Sequence, residues 1–168
     1  RGGAWMDTCQ SLRQNGNERQ APVAYLTCNF SPPVGDQPSL LSHNDMQTLF
    51  HEYGHCLHHL LAEIDWPQVN GINNVEWDAV ELPSQLLENW CWEEGILSRF
   101  ARHHESGEPL PVGLKARLLK SRHFQKALFL VRQLEYGICD LKLHLDYDPD
   151  KPADPLDVIR AVRSEVAV

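Results

Sequence analysis

The sequence predicts a mainly α fold with a small β-strand region near the N-terminus. From residue 43 onward, apolar residues recur at helical spacing. Only one stretch, PVAYLTCNF (22–30), combines β-branched and aromatic residues between turn formers. The third observation is LFHEYGHCLHHLL (49–61), an apolar run carrying four histidines and a glutamate on a helical repeat.

Taken in order, SLRQNGNERQ (11–20) is a polar loop or hairpin tip centred on Asn15–Gly16. The strand at 22–30 follows, closed by SPPVGDQP. A first strong helix is expected over 43–64, with Ser42 and Asp45 spaced as a capping box. IDWPQVNGINN separates it from a second helix over 78–100, in which Pro83 interrupts the hydrogen-bond ladder just after Glu81. HHESGEPLPVG reads as a loop, and a long helical region fills 114–145 with a break near His123. The prolines of DYDPDKPADP stop it, and a short amphipathic helix, LDVIRAVRSEVAV, ends the chain.

A length of 168 residues suits one domain. The net charge of -8 argues against nucleic acid as a partner, since a phosphate backbone calls for a basic stripe. No stretch approaches the roughly 20 apolar residues of a membrane span. Five widely spaced cysteines (Cys9, Cys28, Cys56, Cys91, Cys139) form no CxxC pair, so reduced thiols in a cytoplasmic compartment are expected. The chain opens RGGAWMD with neither an initiator Met nor a signal-peptide pattern, which suggests an internal piece of a longer protein.

On a helix with about 100° between residues, His55 lies about 40° from His51, and Glu52 about 100° from it. Met46, Leu49, Phe50, Tyr53, Leu57, Leu60, Leu61 and Ile64 gather on the other side, a stripe expected to pack into the core. Two imidazoles four residues apart can place nitrogens about 2.0–2.1 Å from one zinc ion. The glutamate between them can take a proton from water activated at the metal, which is the logic of HExxH on a helix. His58 and His59 flank this face, and His55–His59 is a formal alternative pair, although Cys56 stands where that pair would need its glutamate.

A catalytic zinc needs a third protein ligand and an open position. The longer pattern HExxHxxGxxH would put a histidine at position 61, but that residue is Leu61. The third ligand is therefore expected from a second helix as a carboxylate. NNVEWDAVELPSQLLENW (73–90) is acid-rich, and with Glu81 at zero, Asp78, Gln85 and Glu88 fall within about 60° of it. Periodicity alone does not choose among Glu76, Asp78, Glu81 and Glu88.

TLFHEYGHCLHHLL, WDAVELPSQLLENWCWE, RGGAWMD, PVAYLTCNF and ALFLVRQLEYGICDLKLH closely resemble the thimet oligopeptidase family of zinc peptidases, through essentially the whole chain. The resemblance implies a zincin-like catalytic fragment, with residues 1–168 forming part of the catalytic domain of a longer oligopeptidase. It implies one zinc ion (Zn2+) per chain, held by His51, His55 and Glu81, and Glu52 as general base. Short peptides are the implied substrates, with 22–30 as a candidate edge for them. Asp78 is a candidate to orient a ligand histidine, and His59 to stand behind the ligands.

Family members are several times longer. They have a helical N-terminal region that narrows access, and a downstream Gly- and Tyr-rich segment whose histidine contacts substrate. This chain ends at RSEVAV without that segment. Zinc binding with weak turnover is therefore expected of the isolated chain, the remainder of the parent polypeptide supplying the substrate clamp. Two other readings stand beside the peptidase. One is a non-catalytic helical module with a structural zinc, which needs His59 or Asp78 as a fourth ligand. The other makes Cys56 a nucleophile beside His55.

Overall fold

The computed structural model describes residues 3–167. The chain divides into two compact units, one ending at Leu110 and the other beginning at Pro111.

The first unit is built on a strand pair and a helix. Strand β1 (Trp5–Gln10) pairs antiparallel with β4 (Val23–Thr27), Trp5 opposite Thr27 and Thr8 opposite Ala24, with an irregularity between Thr8 and Gln10. The strand expected at 22–30 is thus five residues long, and its partner β1 was not anticipated. Between them, β2 (Arg13–Asn15) and β3 (Glu18–Gln20) form a separate exposed hairpin. Its turn holds Gly16 at φ 59°, in agreement with the tip expected at Asn15–Gly16.

Helix α1 (His43–Leu60) starts with the anticipated capping box. Ser42 Oγ accepts from the Asp45 backbone N–H, and the Asp45 carboxylate accepts from the Ser42 backbone N–H at 2.8 Å. The helix ends four residues earlier than expected. The burial of α1 meets the expectation only in part: Met46, Leu49, Phe50 and Leu57 of the apolar stripe are half-buried, with Phe50 against Phe100. Its buried residues are Glu52, Gly54, His55, Cys56 and His59, whereas Tyr53, Leu60, Leu61 and Ile64 of the apolar stripe are exposed. The polar face is buried because β1, β4 and the following helix pack on it. Apolar spacing marks a face that will be covered, and here the C-terminal part of the stripe, Tyr53, Leu60, Leu61 and Ile64, is left exposed.

The second helix expected at 78–100 is broken into four pieces. Turns run through Glu76–Leu82, α2 spans Leu82–Glu88, a 3-10 turn covers Asn89–Trp92, and α3 spans Glu94–Phe100. Pro83 explains the first break, because its ring cannot follow a helical turn but fits the opening turn of α2. Asn89 contributes to the second, its side-chain amide donating to the carbonyls of Gln85 and Leu86.

In the second unit, α4 (Val112–Ser121) and α5 (Lys126–Leu145) are separated near His123 as expected, with Gln125 at φ 54°. Helix α6 (Pro155–Val166) is capped by Asp154, buries Val162, and is tied to α5 by Arg163 Nε donating to Glu135 Oε1 at 2.6 Å. No helix among the described residues is long and apolar enough to cross a membrane.

Candidate metal centre

Helix α1 crosses α2 at close range because position 54 has no side chain. A β-carbon there would stand 2.5 Å from the Ser84 Cα, nearer than real β-carbons come. The close approach sets the first turn of α2 against the middle of α1, one residue from His55 and three from His51.

At that crossing three donors converge. Glu81 Oε2 lies 3.2 Å from His51 Nε2 and 3.1 Å from His55 Nε2, and the three ligand atoms all lie within 4.8 Å of one another. Ligand atoms about 2.0–2.1 Å from a tetrahedral zinc stand about 3.3 Å apart, so the two sides that meet at Glu81 have nearly the length a zinc ion needs. Two imidazoles and a carboxylate are also a usual donor set for a catalytic zinc. His51, His55 and Glu81 are the three residues that the resemblance implies as ligands, and among the described residues they are the one such group.

Glu81 precedes the first residue of α2, where the helix has not yet fixed its side chain. Ser84 holds it. The Ser84 hydroxyl lies 2.7 Å from Glu81 Oε2 and 2.9 Å from the Glu81 carbonyl oxygen, and Ser84 is fully buried. This hydrogen bond, above all, holds the Glu81 carboxyl below the usual carboxylate range; partial burial opposes it, while His55 and His51 assist it. An ionised carboxylate is the form that binds a cation. Sequence reasoning missed Ser84, although its place three residues after Glu81 is the signal that would have found it.

Glu52 follows His51 directly and is 7% exposed. It lines an open cleft of about 630 Å³ together with His51, His55 and Glu81. Ala4, Trp5 and Met6 of the β1 end form one wall. The loop before α2 forms another through Ile72, Asn74, Val75, Trp77 and Val80. Asparagine amides brace that loop internally: Asn73 donates to the Pro67 carbonyl at 2.9 Å and Asn74 to the Gln68 carbonyl at 2.6 Å. The strand beside the site is therefore β1. No residue of β4 lines the cleft, which corrects the choice of 22–30 as substrate edge.

The two residues expected behind the ligands lie elsewhere. Asp78 is exposed in the turn before α2, and the carboxylate on His51 is that of Glu88, whose Oε1 lies 2.7 Å from His51 Nδ1. A continuous helix would have put Asp78 one turn from Glu81 on the same face; the break at Pro83 removes that phase. His59 is fully buried with its Nε2 2.9 Å from the Gln10 carbonyl oxygen, so it ties α1 to β1. Gly71, at φ 60°, packs against it where a β-carbon would come 2.7 Å from His59 Nδ1. His58 is half-buried, and burial first, then His55 and His59, lowers its pKa.

These placements weaken the two competing readings. Neither His59 nor Asp78 joins the three donors as the fourth ligand of a closed structural site. Cys56 is 4% exposed, and burial, with Glu52 and Cys28 adding, raises its pKa, the reverse of an activated thiol.

Comparison with known proteins agrees with this geometry. The family model described as peptidase family M3 matches residues 1–168. Over its full length the chain is 53% identical to oligopeptidase A of Haemophilus influenzae and 50% identical to oligopeptidase A of Escherichia coli. Over 89% of its length it is 46% identical to a probable cytosolic oligopeptidase A of Arabidopsis thaliana. It spans 25% of each bacterial relative and 22% of the plant one. The whole-chain match, carrying HExxH and the carboxylate that joins its two histidines, establishes that the chain belongs to peptidase family M3.

Proposed function

We propose that the chain is the zinc-binding catalytic segment of a metalloendopeptidase that hydrolyses short oligopeptides. The observation that carries this reading is the convergence of His51 Nε2, His55 Nε2 and Glu81 Oε2 in a cleft that also holds Glu52. When bound there, a zinc ion lowers the pKa of water and polarises the scissile carbonyl.

The protein side of the chemistry falls to two groups. Glu52 accepts a proton from the attacking water and gives it to the departing amine, a role that suits a carboxylate beside the ligands but not among them. The edge of β1 opposite β4 runs past the site through Trp5 and Met6, and a peptide added along it would be held by main-chain hydrogen bonds. Recognition through the backbone accepts many side chains, as hydrolysis of varied short peptides requires.

The parent polypeptide completes the enzyme in this reading. The chain spans a quarter of its bacterial relatives, and large apolar side chains such as Leu61, Trp66, Trp77, Leu86, Phe124 and Phe129 stand exposed on it. The isolated chain accordingly binds zinc but turns over weakly. All five cysteines are free, which suits a reducing compartment, and the proposed location is the cytoplasm.

The test measures metal content and cleavage of a quenched fluorescent peptide for the parent and for the chain, each with and without Glu52→Ala. Retained zinc with lost parental turnover is the expected result; unchanged turnover in the variant parent sinks Glu52 as the base.

A further inference from the structure

His51 stands between two carboxylates of one short segment. Glu81 Oε2 faces its Nε2 at 3.2 Å, and Glu88 Oε1 faces its Nδ1 at 2.7 Å. Seven residues, about two helical turns, separate the two glutamates, so both point toward α1. A neutral imidazole carries one N–H. With Nδ1–H donating to Glu88, the Nε2 lone pair is directed toward Glu81 and His55. In the other tautomer a bare Nδ1 would meet the Glu88 carboxylate at hydrogen-bond distance, lone pair against lone pair.

His55 has no such support, since its buried Nδ1 has no hydrogen-bond partner. The two histidines of the centre are therefore held differently. His55 is fixed by packing, at 7% exposure, while the more open ring of His51 is fixed by a carboxylate.

We propose that Glu88 is the positioning residue of the metal centre, setting the tautomer and ring orientation of His51 so that Nε2 is presented to the metal. Glu88 has this role only if the three converging donors hold zinc. The competing account is a half-exposed ion pair that fastens α2 to α1 and affects stability alone. Zinc affinity separates the two, because a fastening contact alters unfolding and leaves the donor set intact.

The experiment is a zinc titration of the metal-stripped parent polypeptide against a chromophoric chelator, for wild type, Glu88→Ala, Glu88→Gln and Asp78→Asn. Glu88→Ala should bind zinc about 10–100-fold more weakly, as loss of an orienting partner of a ligand histidine typically does. Glu88→Gln, whose amide oxygen still accepts from Nδ1–H, should fall between it and wild type. Asp78→Asn removes the same charge from an exposed site and should stay within about twofold of wild type, since its carboxylate touches neither histidine. Metal-free unfolding midpoints identify a variant that fails to fold, and the comparison of Glu88→Gln with Asp78→Asn then carries the test.

Wild-type zinc binding with Glu88→Ala within twofold of it overturns the role of Glu88, and so does Glu88→Gln no weaker than Asp78→Asn. A wild type that takes up no zinc overturns the metal reading itself, and the role of Glu88 with it.

Discussion

Gly54 of α1 and Ser84 of α2 touch backbone to backbone: a β-carbon added at Gly54 would stand 2.5 Å from the Ser84 Cα and 2.6 Å from the Pro83 carbonyl oxygen. The distance between the histidines and Glu81 depends on this contact, because Ser84 also carries the hydroxyl that holds Glu81.

Gly54→Ala should therefore damage metal binding as well as stability. Backbone on both sides leaves no flexible group to yield, so α2 must move outward. Overpacking of this kind costs about 1–3 kcal/mol. Urea unfolding of the metal-free protein should show that loss, and a chelator titration should show weakened zinc binding. Unaltered zinc affinity would mean that the crossing does not set the donor triangle.

Glu52 and the three proposed ligands should separate cleanly by substitution. Glu52→Gln keeps the shape of a 7%-exposed side chain and removes its basicity. Parental turnover should fall by about 10²–10⁴, the usual worth of a general base, with zinc content unchanged. His51→Ala, His55→Ala and Glu81→Ala should each deplete zinc, read by metal analysis after dialysis.

The donor set was legible in the sequence to the extent that it depended on local phase. His51, Glu52 and His55 lie on one helix, where a rise and an angle per residue fix their relation. Glu81 was within reach only as one of several acids, and the resemblance to known peptidases singled it out. Glu88 was weighed only as one of those acids, because its contact with His51 is a tertiary one between α1 and α2; Ser84 was missed although its contact with Glu81 is local. The break at Pro83 removed Asp78 from the face that Glu81 and Glu88 share. Strand β1 was overlooked because its residues, Trp5–Gln10, run apolar-apolar then polar-polar with one β-branched residue, so the alternation shows in their burial and not in their types. The burial of α1 was judged only in part: apolar spacing says which face wants cover, and the stripe is half-buried from Met46 to Phe50 but exposed at Leu60, Leu61 and Ile64, while Glu52, His55 and His59 of the other face are buried.

His59→Ala should cost stability and spare zinc. Its ring is fully buried, and truncation leaves the Gln10 carbonyl oxygen without its donor and a void beside Gly71. The unpaired carbonyl alone costs about 1–3 kcal/mol, and the cavity adds to it. Zinc content should match wild type, whereas depletion as complete as that of His51→Ala would revive a structural four-ligand site. Paired unfolding curves and metal analysis decide the matter.

Acid should destabilise the metal-free protein partly through His43. Its ring packs edge-on to Trp92 with centroids 4.3 Å apart, its buried Nε2 has no partner, and burial lowers its pKa. A lowered folded pKa means that the unfolded chain binds the proton more readily. The stabilisation from keeping this ring neutral is complete above the unfolded value of about 6.5 and is lost as pH falls from there through the folded pKa. His58, shifted the same way, adds to the slope. His43→Phe keeps a ring against Trp92 and removes one titrating group, so the loss of thermal midpoint between pH 7.5 and pH 5.5 should be smaller in the variant, about those values being chosen to bracket the unfolded pKa. An equal loss in both proteins would assign the acid sensitivity to other groups.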